Sequence, residues 1–185
     1  MAKLVYVSNM SVDGFIEDER GSFEWTAPSE EVFAFVTDLV RPIGTHLYGR
    51  RLYETMAVWE TDPNLAGQSA LAADFAKVWQ TADKIVYSTT LAAVSTAKSR
   101  LERRFDPDAV ISMKASSSRD LMAGGSNLAS QAFRANLVDE LHLFIYPIVL
   151  GQGKPSLSDG LRAKLDLLDE RRLGDVLYVR YAVAV

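Results

Sequence analysis

The segment 120–155 constrains the fold more than any other part of the chain, and it reads DLMAGGSNLASQAFRANLVDELHLFIYPIVLGQGKP. The pattern predicts a short strand, a turn at Gly124 and Gly125, a helix, and a long apolar strand followed by a second glycine-rich turn. A strand that breaks at paired glycines and continues into a helix is a common phosphate-binding arrangement, because the backbone comes close to the ligand and free N–H groups point at it. A nucleotide-type cofactor is therefore the leading hypothesis.

The rest of the chain alternates between strand-like and helix-like segments. Ser29 is a candidate N-cap for the first helix, and 42–44 (Pro-Ile-Gly) is expected to end it. Predicted strands cover 3–10, 45–48, 84–88 and 99–104, with a possible extension at 15–16, and predicted helices cover 30–40, 50–58, 70–80 and 108–114. The last two strands, 163–173 and 176–184, meet at a Gly-Asp turn. The pattern predicts a single α/β domain over 1–185, with a largely parallel sheet and an antiparallel addition at its C-terminal edge.

Composition excludes several classes of function. A net charge of −4 and a pI near 5.2 argue against non-specific nucleic-acid binding. The absence of cysteine excludes disulfides, zinc-thiolate sites and thiol catalysis, and two histidines without metal-ligand spacing argue against a transition-metal site. The N-terminus has no secretory pattern and no apolar run reaches membrane-spanning length, so we expect no membrane partner and a cytoplasmic location.

Two strand-to-helix turns are candidate phosphate sites. They are Gly49-Arg50-Arg51 and Gly124-Gly125-Ser126, and each offers backbone N–H groups and a helix N-terminus. Both follow predicted strands, and ligands in open α/β sheets bind at the carboxyl ends of strands, so the two turns are expected to face one crevice. The arginines add positive charge suited to a phosphate monoester. Ser88 and Thr89 end another strand and are candidates for the same ligand.

The remaining polar candidates have simpler structural explanations. Asp13 stands in an Asp-Gly turn, and Glu30 and Glu31 suit the N-terminus of a helix, although one of the two glutamates could face the crevice. Trp25 is either a core edge or a stacking wall, and Trp59 and Trp79 are assigned to packing. His46 and His142 are interpreted as hydrogen-bonded structural histidines. No nucleophile motif is present, and phosphate anchors without a nucleophile, metal or histidine base favour hydride transfer from a cofactor.

The chain resembles the dihydrofolate reductase-like superfamily, and within it the stand-alone relatives of the reductase domain found at the C-terminus of the bifunctional riboflavin-biosynthesis deaminase-reductase. The most specific part of the resemblance is 137–141 (LVDEL) followed by 146–155 (YPIVLGQGKP). The other matching segments are 11–14 (SVDG), 49–54 (GRRLYE), 87–89 (YST) and 124–128 (GGSNL).

The resemblance implies a three-layer αβα fold with a mixed, mostly parallel, eight-stranded sheet that binds NADPH. Carried over by position, the resemblance implies that the cofactor phosphates, including the 2′-phosphate, are bound by Gly49, Arg50 and Arg51, and that the adenosine ribose lies beside Ser88 and Thr89. It implies that the pyrophosphate is bound by Gly124, Gly125, Ser126, Asn127 and Leu128, and that the nicotinamide lies near the loop 9–16, which begins at Asn9. Glu30 is the nearest match to the acidic residue that binds the pterin in folate reductases, but the adjacent glutamate departs from the bacterial pattern. No zinc deaminase half is expected within this sequence, because it contains none of the cysteine ligands that such a site requires.

The leading hypothesis is an NADPH-dependent reductase of a small polar substrate, for which the best candidate is 5-amino-6-(5-phosphoribosylamino)uracil. The proton would come from water or from an ordered carboxylic acid, with Asp13 and Glu30 as candidates. Lys154 either contacts a substrate phosphate or belongs to a hairpin-like connection. The alternatives are a folate reductase and a nucleotide-binding module that has lost catalysis. A homodimer is also expected, because the C-terminal strands read as long and apolar on both sides.

Overall fold

The computed structural model describes residues 1–184, which form ten strands and six α-helices. The strands are β1 (Leu4–Ser11), β2 (Phe15–Asp18), β3 (Ile43–Gly49), β4 (Asp83–Tyr87), β5 (Ser99–Glu102), β6 (Asp120–Gly124), β7 (Glu140–Tyr146), β8 (Gly153–Pro155), β9 (Lys164–Leu173) and β10 (Val176–Ala184). The helices are α1 (Glu30–Val40), α2 (Arg50–Thr61), α3 (Pro63–Ala66), α4 (Ala70–Thr81), α5 (Pro107–Ser116) and α6 (Ser126–Arg134), and a short 3₁₀ turn covers Glu24–Thr26.

Eight strands form one sheet in the order β5-β4-β3-β6-β1-β7-β10-β9. Every neighbouring pair from β5 to β7 is parallel, whereas β10 is antiparallel to both β7 and β9. This arrangement confirms the predicted mixed, mostly parallel sheet with an antiparallel C-terminal edge. It also places the carboxyl ends of six strands along one edge of the sheet, which is where α/β folds bind ligands.

Helices cover both faces of the sheet. On one face α1, α2 and α4 pack through Val40, Tyr53 and Phe75, and on the other α5 and α6 pack through Val110 and Phe133. The central strands are largely buried on both sides and are correspondingly rich in apolar residues, as expected for parallel strands between two helical layers. The three-layer αβα architecture is therefore confirmed.

The helix starts agree with the sequence prediction, whereas one strand start does not. Ser29 caps α1 by accepting a hydrogen bond from the Val32 N–H at 3.3 Å. The sequence 42–44 was expected only to end that helix, yet β3 already begins at Ile43, which pairs with Asp120 of β6. Gly44 is needed inside the strand because a Cβ there would lie 2.7 Å from the Cβ of Arg119.

A separate two-stranded sheet is formed by β2 and β8, which pair antiparallel although they are far apart in the chain. Gly153 sits so close to the Glu17 carbonyl that a side chain there would overlap it. The extension predicted at 15–16 is thus a strand of its own, and the hairpin-like explanation of the 150–155 loop is wrong. We call this pair the β2–β8 ribbon.

The outer C-terminal strand differs from the prediction. β9 is mostly exposed and carries charges at Lys164, Asp166 and 169–172, so it is not apolar on both sides. Charged residues on an edge strand discourage uncontrolled strand pairing. Leu167 and Leu168 remain exposed by 54% and 48%, and the homodimer stays a prediction.

Within residues 1–184, no helix is both long enough and apolar enough to span a membrane.

Candidate functional site

A cavity of about 980 Å³ opens at the carboxyl edge of the sheet. Its wall includes the ends of β1, β3, β4 and β6, the first turns of α2 and α6, and part of the β2–β8 ribbon. Nine of the predicted cofactor residues lie in this wall: Asn9, Gly49, Arg50, Arg51, Gly124, Gly125, Ser126, Asn127 and Leu128. The prediction that the two strand-to-helix turns face one crevice is confirmed.

The glycine turn after β6 is shaped by close backbone approach. A Cβ on Gly124 would overlap the side chain of Leu52 and lie 2.9 Å from the ring of Tyr48, so this glycine brings the two turns into contact. Gly125 caps α6 with φ +92°, a conformation that L side chains rarely adopt, and an added Cβ would have no atom within 4 Å. The first residues of α6 line the cavity, and the N-cap residue provides no side-chain acceptor for their N–H groups.

The arginine turn after β3 supplies positive charge to the same wall. Gly49 caps α2 without a side-chain hydrogen bond. Arg50 donates to Glu54 at 2.9 Å and to Thr90 at 3.0 Å, which fixes the direction of its guanidinium. Arg51 is 79% exposed and contacts Glu17 at 3.4 Å.

The β2–β8 ribbon and the loop after β2 add further positive charge to the opening of the cavity. Lys154 lies in the cavity wall and its Nζ is 3.4 Å from the Glu17 carboxylate, which therefore bridges Lys154 and Arg51. Arg20, in the loop after β2, adds a further positive charge to the wall. We call Arg20, Arg50, Arg51 and Lys154 the cationic rim.

The cavity continues inwards along the face of the sheet covered by α1, α2 and α4. This inner chamber is lined by apolar and aromatic side chains, namely Val7, Val36, Val40, Met56, Phe75, Trp79, Met122 and Phe144. Tyr48 and His46 of β3 complete the wall. The cavity therefore has a polar, cationic opening and an apolar interior, a combination typical of sites for charged cofactors and ring-containing ligands.

His46 is the polar exception in the inner chamber. It is 1% exposed, its ring stacks on Tyr48 with a centroid distance of 5.3 Å, and no atom of residues 1–184 forms a hydrogen bond with either ring nitrogen. Burial, reinforced by the positive charges of Lys84 and Arg119, lowers the pKa of His46 to about 3. The imidazole is therefore neutral at physiological pH, and its interpretation as a hydrogen-bonded structural histidine is wrong.

Four predicted site residues lie outside the cavity wall: Ser88, Thr89, Asp13 and Glu30. The Ser88 hydroxyl accepts hydrogen bonds from the N–H groups of Thr90 and Leu91 and so closes its own turn, while Thr89 is exposed beside it. Thr90, which sequence reasoning missed, is the residue of this turn that contacts Arg50.

Asp13 and Glu30 are the other two, and neither is placed to act on a ligand in the cavity. The Asp13 carboxylate accepts from the Ser11 hydroxyl at 2.6 Å and from the Gly151 N–H at 2.7 Å, joining two loops. The Ser11 hydrogen bond in particular holds the pKa of Asp13 below its usual range, so the group is a poor acid. Glu30 is exposed on the first turn of α1, and Glu31 lies beside Gly174 of the β9–β10 turn.

The aromatic candidates divide in the same way. Trp25 packs edge-on against Tyr146 at 5.9 Å and does not line the cavity, so it is a core edge. Trp79 is 1% exposed and donates a hydrogen bond to the Tyr48 hydroxyl at 3.2 Å, so it is a packing residue at the inner wall of the cavity, as predicted.

The comparisons with known proteins agree with this geometry. The family model described as RibD C-terminal domain matches residues 2–179. Among curated proteins, YyaP of Bacillus subtilis (strain 168), itself uncharacterized, is 27% identical over 160 residues, which cover 81% of this chain and 77% of YyaP.

Solved structures share the fold at low sequence identity. A putative riboflavin biosynthesis protein from Shewanella sp. PV-4 superposes over the whole of both chains with a TM-score of 0.76 and 20% identity. A deaminase/5-amino-6-(5-phosphoribosylamino)uracil reductase from Thermotoga maritima gives a TM-score of 0.65 at 16% identity, covering 99% of this chain but 57% of that protein. A pyrimidine reductase-like protein from Corynebacterium diphtheriae gives 0.65 at 13% identity over 92% of its length. The chain therefore belongs to the RibD C-terminal domain family and shares the fold of these solved structures.

Proposed function

We propose that this protein is an NADPH-dependent reductase that transfers hydride to a small polar substrate. The observation that carries the proposal is the meeting of the two phosphate-suited turns, Gly49–Arg51 and Gly124–Leu128, in the wall of one cavity. Membership of a reductase-like family supports the same conclusion.

The residues in the wall fit a dinucleotide phosphate. The uncapped N-terminus of α6 and the side-chain-free backbone at Gly124 and Gly125 suit a pyrophosphate, which needs N–H donors and close approach. Arg50 and Arg51 suit the additional monoester phosphate that distinguishes NADPH from NADH. Asn9, at the end of β1, would lie towards the nicotinamide end. When bound, NADPH would supply the hydride, and the protein would bind, orient and shield the reacting groups.

The substrate is proposed to be 5-amino-6-(5-phosphoribosylamino)uracil or a molecule of similar chemistry. Lys154 and Arg20 carry positive charge at the opening, where a substrate phosphate could bind, and the inner chamber is suited to a ring. Because Asp13 and Glu30 lie outside the wall, we propose that water supplies the proton.

The proposal is tested by calorimetric titration of the purified protein with NADPH and, separately, with NADH. We expect micromolar binding of NADPH and a clear preference over NADH, with at least tenfold weaker binding in Arg50→Ala or Arg51→Ala, since each removes a charge-assisted phosphate contact worth roughly 1.5 to 3 kcal/mol.

Arg134→Ala is the matched control, because Arg134 is an exposed arginine at the opposite end of α6 and outside the cavity wall. Failure of both nucleotides to bind would contradict the reductase proposal. Binding without turnover of any pyrimidine or pterin substrate would instead favour a non-catalytic nucleotide-binding module.

A further inference from the structure

Arg50 and Arg51, neighbours at the start of α2, are held in different ways. Arg51 is 79% exposed, and one contact of 3.4 Å joins it to Glu17 of the β2–β8 ribbon. Arg50 is 47% exposed and is held by two hydrogen bonds, from its Nε to Glu54 at 2.9 Å and from an Nη to Thr90 at 3.0 Å. A guanidinium has five N–H donors, so three remain on Arg50 for a ligand after these two hydrogen bonds.

The turn that carries Thr90 is itself held in place. The Ser88 hydroxyl accepts hydrogen bonds from the Thr90 N–H at 3.2 Å and from the Leu91 N–H at 2.9 Å. The guanidinium of Arg103 donates to the Leu91 carbonyl at 2.7 Å and to the Ser88 carbonyl at 3.3 Å. The Thr90 hydroxyl therefore has a defined position at the end of β4, and Arg50 is oriented by a residue 40 positions away as well as by its own helix.

The position of Thr90 restricts how it can act on a ligand. Thr90 does not belong to the cavity wall, whereas Arg50 does. A hydroxyl outside the wall acts on a ligand in the cavity through the side chain that it holds. A long cationic side chain loses rotamer freedom when it binds a phosphate, and a side chain that is already oriented loses less. The hydrogen bond to Thr90 thus favours a phosphate contact that Thr90 does not itself make.

We propose that Thr90 is a positioning residue, which orients the Arg50 guanidinium in the cavity wall and thereby increases the preference for NADPH over NADH. The inference deepens the proposed function, on which it rests, by assigning part of the preference to a residue that does not contact the cofactor. Glu54 holds the same guanidinium, but its carboxylate lies in the wall and also repels a phosphate, so its removal has two opposing effects. Thr90 is uncharged, and its replacement changes the orientation of Arg50 without changing the charge of the site.

The test is a calorimetric titration of Thr90→Val, which keeps the shape of the side chain and removes the hydroxyl, with NADPH and separately with NADH. We expect NADPH to bind about threefold more weakly and NADH to bind with unchanged affinity, because the monoester phosphate assigned to Arg50 is present in NADPH alone. Thr90→Ser keeps the hydroxyl and should restore the preference.

Thr81→Val is the matched control. Thr81 is an exposed threonine outside the cavity wall, and its hydroxyl donates a hydrogen bond to the Lys77 carbonyl at the end of α4. This variant should leave the affinities for both nucleotides unchanged.

Double variants show whether Thr90 acts through Arg50. In Arg50→Ala, the further change Thr90→Val should not weaken the binding of either nucleotide. In Arg51→Ala, the same change should weaken NADPH binding as it does in the unmodified protein. A general distortion of the site would instead appear in both backgrounds.

The orientation of the two guanidiniums is measured without nucleotide by ¹⁵N relaxation of the arginine Nε–H groups, with Arg50→Lys and Arg51→Lys assigning the two signals. We expect the Nε–H of Arg50 to be more restricted than that of Arg51, and Thr90→Val to make it more mobile. The first comparison uses the unmodified protein, so it decides the question even if Thr90→Val fails to fold.

The outcomes separate this inference from the proposed function. Unchanged NADPH affinity in Thr90→Val, equal weakening of NADPH and NADH, or an undiminished effect in Arg50→Ala would overturn the inference and leave the reductase proposal standing. An Arg50 Nε–H as mobile as that of Arg51 would do the same. Failure of both nucleotides to bind the unmodified protein would contradict the proposed function, and the preference assigned to Thr90 would fall with it.

Discussion

Both histidines lie on buried strands of the main sheet, but only His142 has hydrogen-bond partners within residues 1–184. His142 on β7 is buried, yet its Nδ1 lies 2.8 Å from the Tyr178 hydroxyl and its Nε2 lies 3.3 Å from the Glu140 carboxylate. That carboxylate also pairs with Lys3 at 2.5 Å and with Arg180 at 2.9 Å. His46 on β3 is more deeply buried, at 1% exposed against 6% for His142, and has no hydrogen-bond partner within residues 1–184.

The difference separates a structural polar cluster from a binding site. The β7–β10 cluster, made of Lys3, Glu140, His142, Tyr178 and Arg180, pairs its charged groups with one another and both nitrogens of His142 with Tyr178 and Glu140, although the Nε of Arg180 has an ion-pair contact without a hydrogen bond. It is a self-contained part of the fold. The cavity edge instead presents an uncapped helix N-terminus beside the partly exposed cationic rim, groups that suit an anionic ligand from outside the chain.

The largest effect should follow from breaking the β7–β10 cluster. Glu140→Ala removes the acceptor shared by Lys3, Arg180 and His142, and it leaves a buried imidazole and a half-buried guanidinium without their carboxylate. We expect the free energy of unfolding to fall by about 2 to 3 kcal/mol, while NADPH affinity stays unchanged. Urea denaturation measures the first and calorimetry the second. Glu170→Ala, on exposed β9, is the control and should change stability by less than about 0.5 kcal/mol. Equal losses in the two variants would contradict the structural assignment.

A second prediction concerns the pH dependence of stability, to which His46 is expected to contribute strongly. Burial lowers the pKa of His46 from 6.5 to about 3 in the folded protein. Below pH 6.5, His46 therefore binds a proton in the unfolded chain but stays neutral in the folded protein. The contribution of neutral His46 to the free energy of unfolding is thus fully present above pH 6.5 and is lost as the pH falls towards 3. Between pH 6.5 and about 4.5 the protein should lose about 2 kcal/mol more than His46→Phe does. Burial also lowers the pKa of His142, but that contribution is common to both proteins and cancels. Parallel denaturation curves across this range would refute the account.

A third prediction concerns the glycine turn of the cavity. Gly125→Ala places a side chain at φ +92° with no atom within 4 Å of the new Cβ, so the cost is backbone strain of about 1 to 2 kcal/mol. The strain should displace the first N–H groups of α6 and weaken NADPH binding about tenfold or more. Gly160→Ala is matched, because it has φ +74° and equally open space but lies outside the cavity wall. It should lose similar stability without losing affinity, and a similar affinity loss in both variants would remove the turn from the site.

The smallest effect concerns the bridge between the ribbon and the arginine turn. Glu17→Gln removes the carboxylate that Arg51 and Lys154 share, and both partners are at least partly exposed. Stability should change by less than about 1 kcal/mol, and NADPH should bind about threefold more tightly because two cations lose a competing anion. Asp38→Asn, which disturbs the exposed Arg41 pair elsewhere, should leave affinity unchanged. Weaker NADPH binding in Glu17→Gln would mean that the bridge positions Arg51 for the ligand.

The sequence was sufficient for the architecture and for much of the cavity edge. Local patterns fix where a strand ends and a helix begins, and parallel strands bring those ends to one edge, so Gly49 and Gly124 could be predicted to meet. The same reasoning identified Ser29 as a cap, because an N-cap depends on residues within one turn of it.

The remaining features depend on contacts between distant segments. Asp13 binds the N–H groups of Leu150 and Gly151, and β2 pairs with β8, yet nothing local in either segment indicates its partner. The Ser88 hydroxyl could bind a ligand or accept hydrogen bonds within its own turn, and the local sequence does not distinguish the two. His46 and His142 both lie on buried strands, and the presence or absence of a partner is set by which side chains neighbouring strands place opposite them.

The most direct test of the account is a map of backbone amide chemical-shift changes in ¹⁵N-labelled protein on addition of NADPH. The account predicts large changes at Gly49–Leu52 and at Gly124–Leu128, and none in the β7–β10 cluster around His142. Changes confined to the cluster, or unchanged amides at both turns under saturating NADPH, would contradict it.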